Sequence, residues 1–93
     1  MTRDDVLRGM IEKKGEKHQL GVVVEELLEL AKEVQKRVRA GGNDVRICEE
    51  VADVRVVMRA LELMVPKIKT HSPMYERYKY DRLRVVYLEG DEK

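Results

Sequence analysis

The chain of 93 residues has no tryptophan and no phenylalanine. Its aromatic surface rests on Tyr75, Tyr78, Tyr80 and Tyr87, all in the C-terminal quarter, so the core must be aliphatic. A single cysteine, Cys48, excludes an intramolecular disulfide and carries no metal-site spacing. That usage fits a reducing, cytoplasmic compartment. Only two prolines and six glycines interrupt the chain. Neither sign of charge dominates: 19 Lys and Arg face 18 Asp and Glu, for a formal net charge of +1. Charge alone therefore gives no footprint for nucleic acid. No apolar run approaches the roughly 20 residues that span a membrane. The N-terminal stretch with Arg3, Asp4 and Asp5 lacks the apolar centre of a signal peptide. The expectation is one soluble cytoplasmic domain over residues 1–93, without nucleic-acid or membrane partners.

What the chain has in quantity is charge, 40%, interleaved with apolar residues, 43%. That mixture is the composition of amphipathic helices with solvated outer faces. Stops and starts place four of them, with no strand-like alternation, in an all-α antiparallel bundle. The first spans about Thr2 to Lys14, with Thr2 as N-cap and two aspartates in its first turn. The second runs from about Glu16 to Ala40, with a core stripe through Leu20, Val23, Leu27 and Val34. Gly41-Gly42 ends it. The third starts behind Asn43 or Asp44 and runs to about Val65, before Pro66. The fourth is expected from Ser72-Pro73 to about Glu89, with 91–93 as a frayed tail.

The chemistry is concentrated in carboxylates. Helix two carries Glu25-Glu26-Leu27-Leu28-Glu29, and helix three carries Glu49-Glu50-Val51-Ala52-Asp53. Residues three apart share a helical face, which pairs Glu26 with Glu29 and Glu50 with Asp53. On a helical wheel Glu50 falls inside the apolar stripe of Ile47, Val51, Val54, Val57, Met58 and Leu61, and Asp53 lies at its border. A carboxylate aimed into an apolar core is costly unless compensated, and no basic residue shares that stripe. The short Gly41-Gly42 connection makes helices two and three antiparallel neighbours, so Glu29 should approach Glu50, and Glu26 should approach Asp53. Four hard oxygen donors suit Mg²⁺, Mn²⁺ or Ca²⁺. His18 and His71 form no Glu-x-x-His motif, which disfavours a di-iron site, and zinc lacks its usual donors. Glu33 sits beyond the stripe of helix two, and Glu25 and Glu49 point to solvent.

The succession EELLE, then EVAD after 20 intervening residues, resembles the EExxE…ExxD signature of the MazG-like, all-α NTP pyrophosphatase superfamily. The lead-in KKGEKHQLGVVVEELLEL and the later KYDRL are similar to segments of its small, phage-type members, so the resemblance covers Lys13 to Leu83. It implies Mg²⁺-dependent hydrolysis of (deoxy)nucleoside triphosphates to the monophosphate and pyrophosphate. It also implies metal ligation by Glu26, Glu29, Glu50 and Asp53, and substrate contacts from Gln19, Lys79 and Arg82. A free carboxylate, Glu25, is the candidate to orient or deprotonate the attacking water. The chain departs from the family in offering no aromatic residue for the base outside its last helix.

Helix three has a second apolar face, with Val45, Ala52, Val56, Ala60 and Leu63. A helix apolar on two sides is sandwiched, and a homodimer or homotetramer would supply the cover. Two other functions share these features: phosphoribosyl-ATP pyrophosphatase, a relative with a similar acidic layout, and a non-catalytic helical adaptor that offers its acidic patch to a basic partner.

Overall fold

The computed structural model describes residues 1–89, and among them are four helices and no strand: α1 Arg3–Lys14, α2 Glu16–Ala40, α3 Asp44–Met64 and α4 Lys67–Leu88. The tail expected at 91–93 lies outside the described residues. Local signals set the boundaries. Thr2 Oγ1 accepts from the Asp5 amide at 3.0 Å, and the Asp5 carboxylate accepts from the Thr2 amide at 2.9 Å. This reciprocal box satisfies two of the donors a helix start leaves unpaired. Asn43 caps α3, its side-chain oxygen accepting from the amides of Val45 and Arg46.

The α2–α3 turn needs its glycines. Gly41 and Gly42 have φ of +84° and +56°, and a Cβ at Gly42 would stand 2.8 Å from the Arg37 Cα. Arg37 then staples the turn, donating to the Gly41 carbonyl at 3.0 Å and to Asp44 at 2.8 Å.

The expected start of the last helix at Ser72 is corrected. α4 begins at Lys67 and carries Pro73 inside it. Pro66 has helical angles, φ −58° and ψ −23°, and its carbonyl accepts from the Lys69 amide at 3.2 Å. A proline with φ already fixed near −65° starts the helix there. Ser72 is thus an interior residue rather than a cap.

α2 and α3 form a long antiparallel hairpin, and α1 lies across both. Leu7, Val23, Val57 and Ala60 are its buried apolar residues. Arg59 of α3 clamps α1 by donating to both carboxylate oxygens of Asp4, at 3.0 and 2.6 Å, and it also reaches Glu62 at 2.6 Å. α4 differs from the other three helices. It touches only α3, none of its residues is buried, and it projects from the hairpin. The radius of gyration is accordingly 17.0 Å, whereas a compact chain of this length has about 12 Å. No described helix is long and apolar enough to cross a membrane.

The face that α2 turns toward α3 also corrects the sequence expectation. Of the stripe Leu20, Val23, Leu27 and Val34, only Val23 is buried; Leu20, Leu27 and Val34 are 40, 43 and 45% exposed. The buried positions are Gln19, Val23 and Glu33, with Val22, Glu26 and Leu30 half-buried. The hairpin has thus closed on the more polar side of α2 and left the aliphatic one uncovered. The stripe assigned to α3 holds, with Val57 buried and Ile47, Val51, Val54, Met58 and Leu61 half-buried.

Candidate metal centre

Gln19, Glu26 and Glu33 follow one another at intervals of seven residues, two helical turns, so they form one line along α2. This line faces α3. At its turn end Glu33 is only 3% exposed, with Lys36 at 3.3 Å and Arg46 of α3 at 3.8 Å. Its charge is compensated, and the pair to Arg46 ties the two helices. Gln19, at the other end, is 4% exposed.

The middle of the line has no such compensation. Glu26 meets Glu50 and Asp53 of α3, and one carboxylate oxygen from each lies within 4.8 Å of the others. Glu26 and Glu50 are half-buried and Asp53 is exposed. Glu50 Oε2 is buried without a hydrogen-bond partner, the one such side-chain atom among the described residues. The Glu26 carboxyl is pushed above the usual glutamate range, first by loss of solvent and then by Asp53, Glu50, Glu29 and Glu25. Burial and like charge act in the same direction here. No cation pairs with any of the three among the described residues.

The donor set fits a hard divalent cation. Three carboxylate oxygens this close on two rigid helices match the oxygen chemistry of Mg²⁺ and Mn²⁺, and an ion would give the orphaned Glu50 oxygen a partner.

The structure brings three of the four expected ligands together. Glu29 stands at the edge, close enough to raise Glu26 but outside the convergent oxygens, with Lys32 at 3.7 Å. Glu26 approaches both Glu50 and Asp53, so the expected pairing of Glu29 with Glu50 shifts along α2 by about one turn. Glu25 and Glu49 are exposed, as their wheel positions require. Lys79 and Arg82 are not brought to the acidic trio within the chain: both are exposed on α4, which makes no contact with α2. The seven-residue spacing from Gln19 through Glu26 to Glu33 was the available signal for the polar inner face, but the aliphatic stripe beside it outweighed it. Comparison of the chain with protein-family models, curated proteins and solved structures found no match in any of the three.

Proposed function

We propose that the chain is a Mg²⁺-dependent nucleoside triphosphate pyrophosphohydrolase of MazG-like type, working as a homo-oligomer. One observation carries this reading: the buried, unpartnered oxygen of Glu50 sits in a trio of carboxylates with which no cation pairs among the described residues. The spacing of EELLE and EVAD, with its resemblance to that superfamily, supports the same conclusion.

In this proposal Glu26, Glu50 and Asp53 hold the ion, and Glu29 joins them when it leaves Lys32. When held there, Mg²⁺ would supply charge neutralisation at the phosphate and a lowered pKa for a bound water. The exposed Glu25 accepts the proton of the attacking water. Water and triphosphate give monophosphate, pyrophosphate and one proton. Gln19, on the same line of α2 as Glu26, offers an amide to the substrate. Lys79 and Arg82 lie three apart on α4 and hold phosphate oxygens in a site belonging to a second chain, since no contact carries them to their own α2. The uncovered stripe of α2, including Leu20, Val24, Leu27 and Leu28, is the surface on which chains assemble.

The test is a panel of ribo- and deoxyribonucleoside triphosphates, with phosphoribosyl-ATP included, incubated with Mg²⁺. Pyrophosphate and orthophosphate are scored separately. Divalent-dependent release of pyrophosphate and a monophosphate is expected. Release of orthophosphate alone, or no turnover with any substrate, would overturn the reading in favour of another hydrolase or an adaptor.

A further inference from the structure

The α2–α3 hairpin has two unlike sides. The line Gln19, Glu26 and Glu33 marks the direction of α3 as seen from α2. At about 100° per residue, the stripe Leu20, Val24, Leu27, Ala31, Val34 and Val38 is centred about 120° further round that helix. On α3, Val57 and Glu50 mark the direction of α2. Ile47, Val51, Val54 and Met58 are centred about 80° round from it, in the same rotational sense. Because the two helices run antiparallel, equal senses of rotation bring both stripes to one side of the hairpin. Glu25, Glu29 and Asp53 turn the opposite way, so the carboxylates open on the other side. That is also where α1 lies, against Val56 and Arg59. The apolar side is left uncovered by α1: all six α2 positions are exposed, and the four on α3 are only half-buried.

We infer that this apolar side seats the same side of a second copy, α2 antiparallel to α2 and α3 antiparallel to α3, as a four-helix bundle. The inference extends the assembly on α2 proposed above and uses no part of the hydrolytic reading. Charge decides the occupant. The ten stripe positions include no charged residue. The chain's other uncovered faces do. On α4 the row Tyr75, Tyr78, Arg82 and Val85 contains a guanidinium, and on α3 the row Val45, Glu49, Ala52 and Val56 contains a carboxylate. Laid on the stripes, either would bury a charge without a partner. The same side of a second copy buries none. The area is adequate as well. Helices of 25 and 21 residues form a layer about 35 Å long and 20 Å wide, so the pair covers about 1,400 Å² over both chains, the size of a standard stable interface.

The direction of the two-fold axis follows from the ends. The turn end of the hairpin carries Lys36, Arg37, Arg39 and Arg46 against Glu33 and Asp44. An axis along the helices would stack both cationic turns, whereas an axis across them sends the turns to opposite ends. Its position follows from the levels. Glu26 lies level with Glu50 and Asp53, and Glu33 with Arg46. The α3 stripe is centred between Val51 and Val54, a level that falls on α2 between Val24 and Leu27. One axis there serves both helices. It sets Val24 against Leu27 of the second copy, Val51 against its Val54, and bulky Leu20 against its small Ala31. The acidic sides remain on the outside of the pair.

Crosslinking tests the pairing without reference to hydrolysis. In a Cys48→Ser background, Leu20→Cys chains are mixed with differently tagged Ala31→Cys chains and oxidised with glutathione. A mixed disulfide of the two tags is expected. Neither variant alone should form a disulfide dimer, since the antiparallel register holds two copies of the same position about 16 Å apart along the axis. Val56→Cys, on the opposite side of the hairpin, should not crosslink to Leu20→Cys. Adding Val24→Glu to the Leu20→Cys chain should lower the mixed yield about tenfold, because it places a charge in the apolar seam. No mixed disulfide, a disulfide of Leu20→Cys with itself, equal crosslinking through Val56→Cys, or a yield indifferent to Val24→Glu would each overturn the inference. Turnover is not read, so a chain that hydrolyses nucleotides and fails to crosslink loses only this pairing.

Discussion

Replacing Glu50 by glutamine should make the metal-free protein more stable and the metal-bound protein less so. The side chain keeps its shape and loses its charge. Glu50 Oε2 is buried without a partner, and Glu26 and Asp53 present oxygens within 4.8 Å. Leaving a buried polar group unsatisfied costs about 1–3 kcal/mol, and more when it is charged. The glutamine amide retains part of that penalty, so the net gain without metal is about 1 kcal/mol. For a domain of this size that corresponds to a rise in Tm of about 4–8 °C. Metal reverses the order, because an ion held by the folded state at a hundred times its Kd adds about 2.7 kcal/mol. Wild type should gain this, and Glu50→Gln should gain little. Circular dichroism melts at 222 nm in EDTA and in millimolar MgCl₂ supply the four curves. If Glu50→Gln melts below wild type in EDTA, or if Mg²⁺ raises both proteins equally, the argument from an uncompensated carboxylate fails.

Three other outcomes follow from the same geometry. The raised Glu26 carboxyl gives stability that is present below the ordinary glutamate range and lost as pH climbs through its elevated value, so in EDTA the Tm should fall across that interval. Asp4, held low by Arg59, acts oppositely and at lower pH, its contribution disappearing as pH drops through its depressed value. Saturating Mg²⁺ should abolish the first slope and leave the second. Arg82→Ala should titrate Mn²⁺ normally in calorimetry while its KM for triphosphate rises about ten- to a hundredfold, the usual loss for a charge-assisted contact; unchanged steady-state constants would return Arg82 to an ordinary surface charge. Leu27→Glu, on the uncovered stripe of α2, should weaken assembly in light scattering with helix content unchanged; a wild-type protein that is monomeric at working concentration would remove the basis for that expectation.

The boundaries of the first three helices were legible because each depends on a local event. The Thr2 and Asn43 caps and the glycine turn follow from side-chain and backbone chemistry within a few residues. Glu50 was legible too, since a lone acid in the regular stripe of α3 stands out against its neighbours. The inner face of α2 was not. Periodicity says that Leu20, Leu27 and Val34 want cover, but not which chain or helix provides it, and among the described residues all three stay exposed. The start of α4 was missed for a different reason. Ser72-Pro73 is a strong starting signal, and it lost to Pro66, which already has helical angles nearly two turns earlier. Where Lys79 and Arg82 stand relative to the trio depends on how α4 leaves α3, and Val65, Pro66 and their neighbours do not encode that direction in any side-chain pattern.

The exposed course of α4 divides the chain into two melting units. The hairpin and α1 open together, because their amides are covered by shared side chains and by the Arg59–Asp4 clamp. α4 in a lone chain has its own backbone bonds, interrupted at Pro73, the local pairs of Arg84 with Asp81 and Glu89, and contact with α3 alone, and helices with so little tertiary cover are marginal in water. Its amide hydrogens should therefore exchange by local fraying long before those of α3, and trypsin should cut first after Arg77, Lys79 or Arg82. The exchange rate of this single helix thereby reports how much of its surface a neighbour has taken up, residue by residue, in a sample whose hairpin remains fully folded.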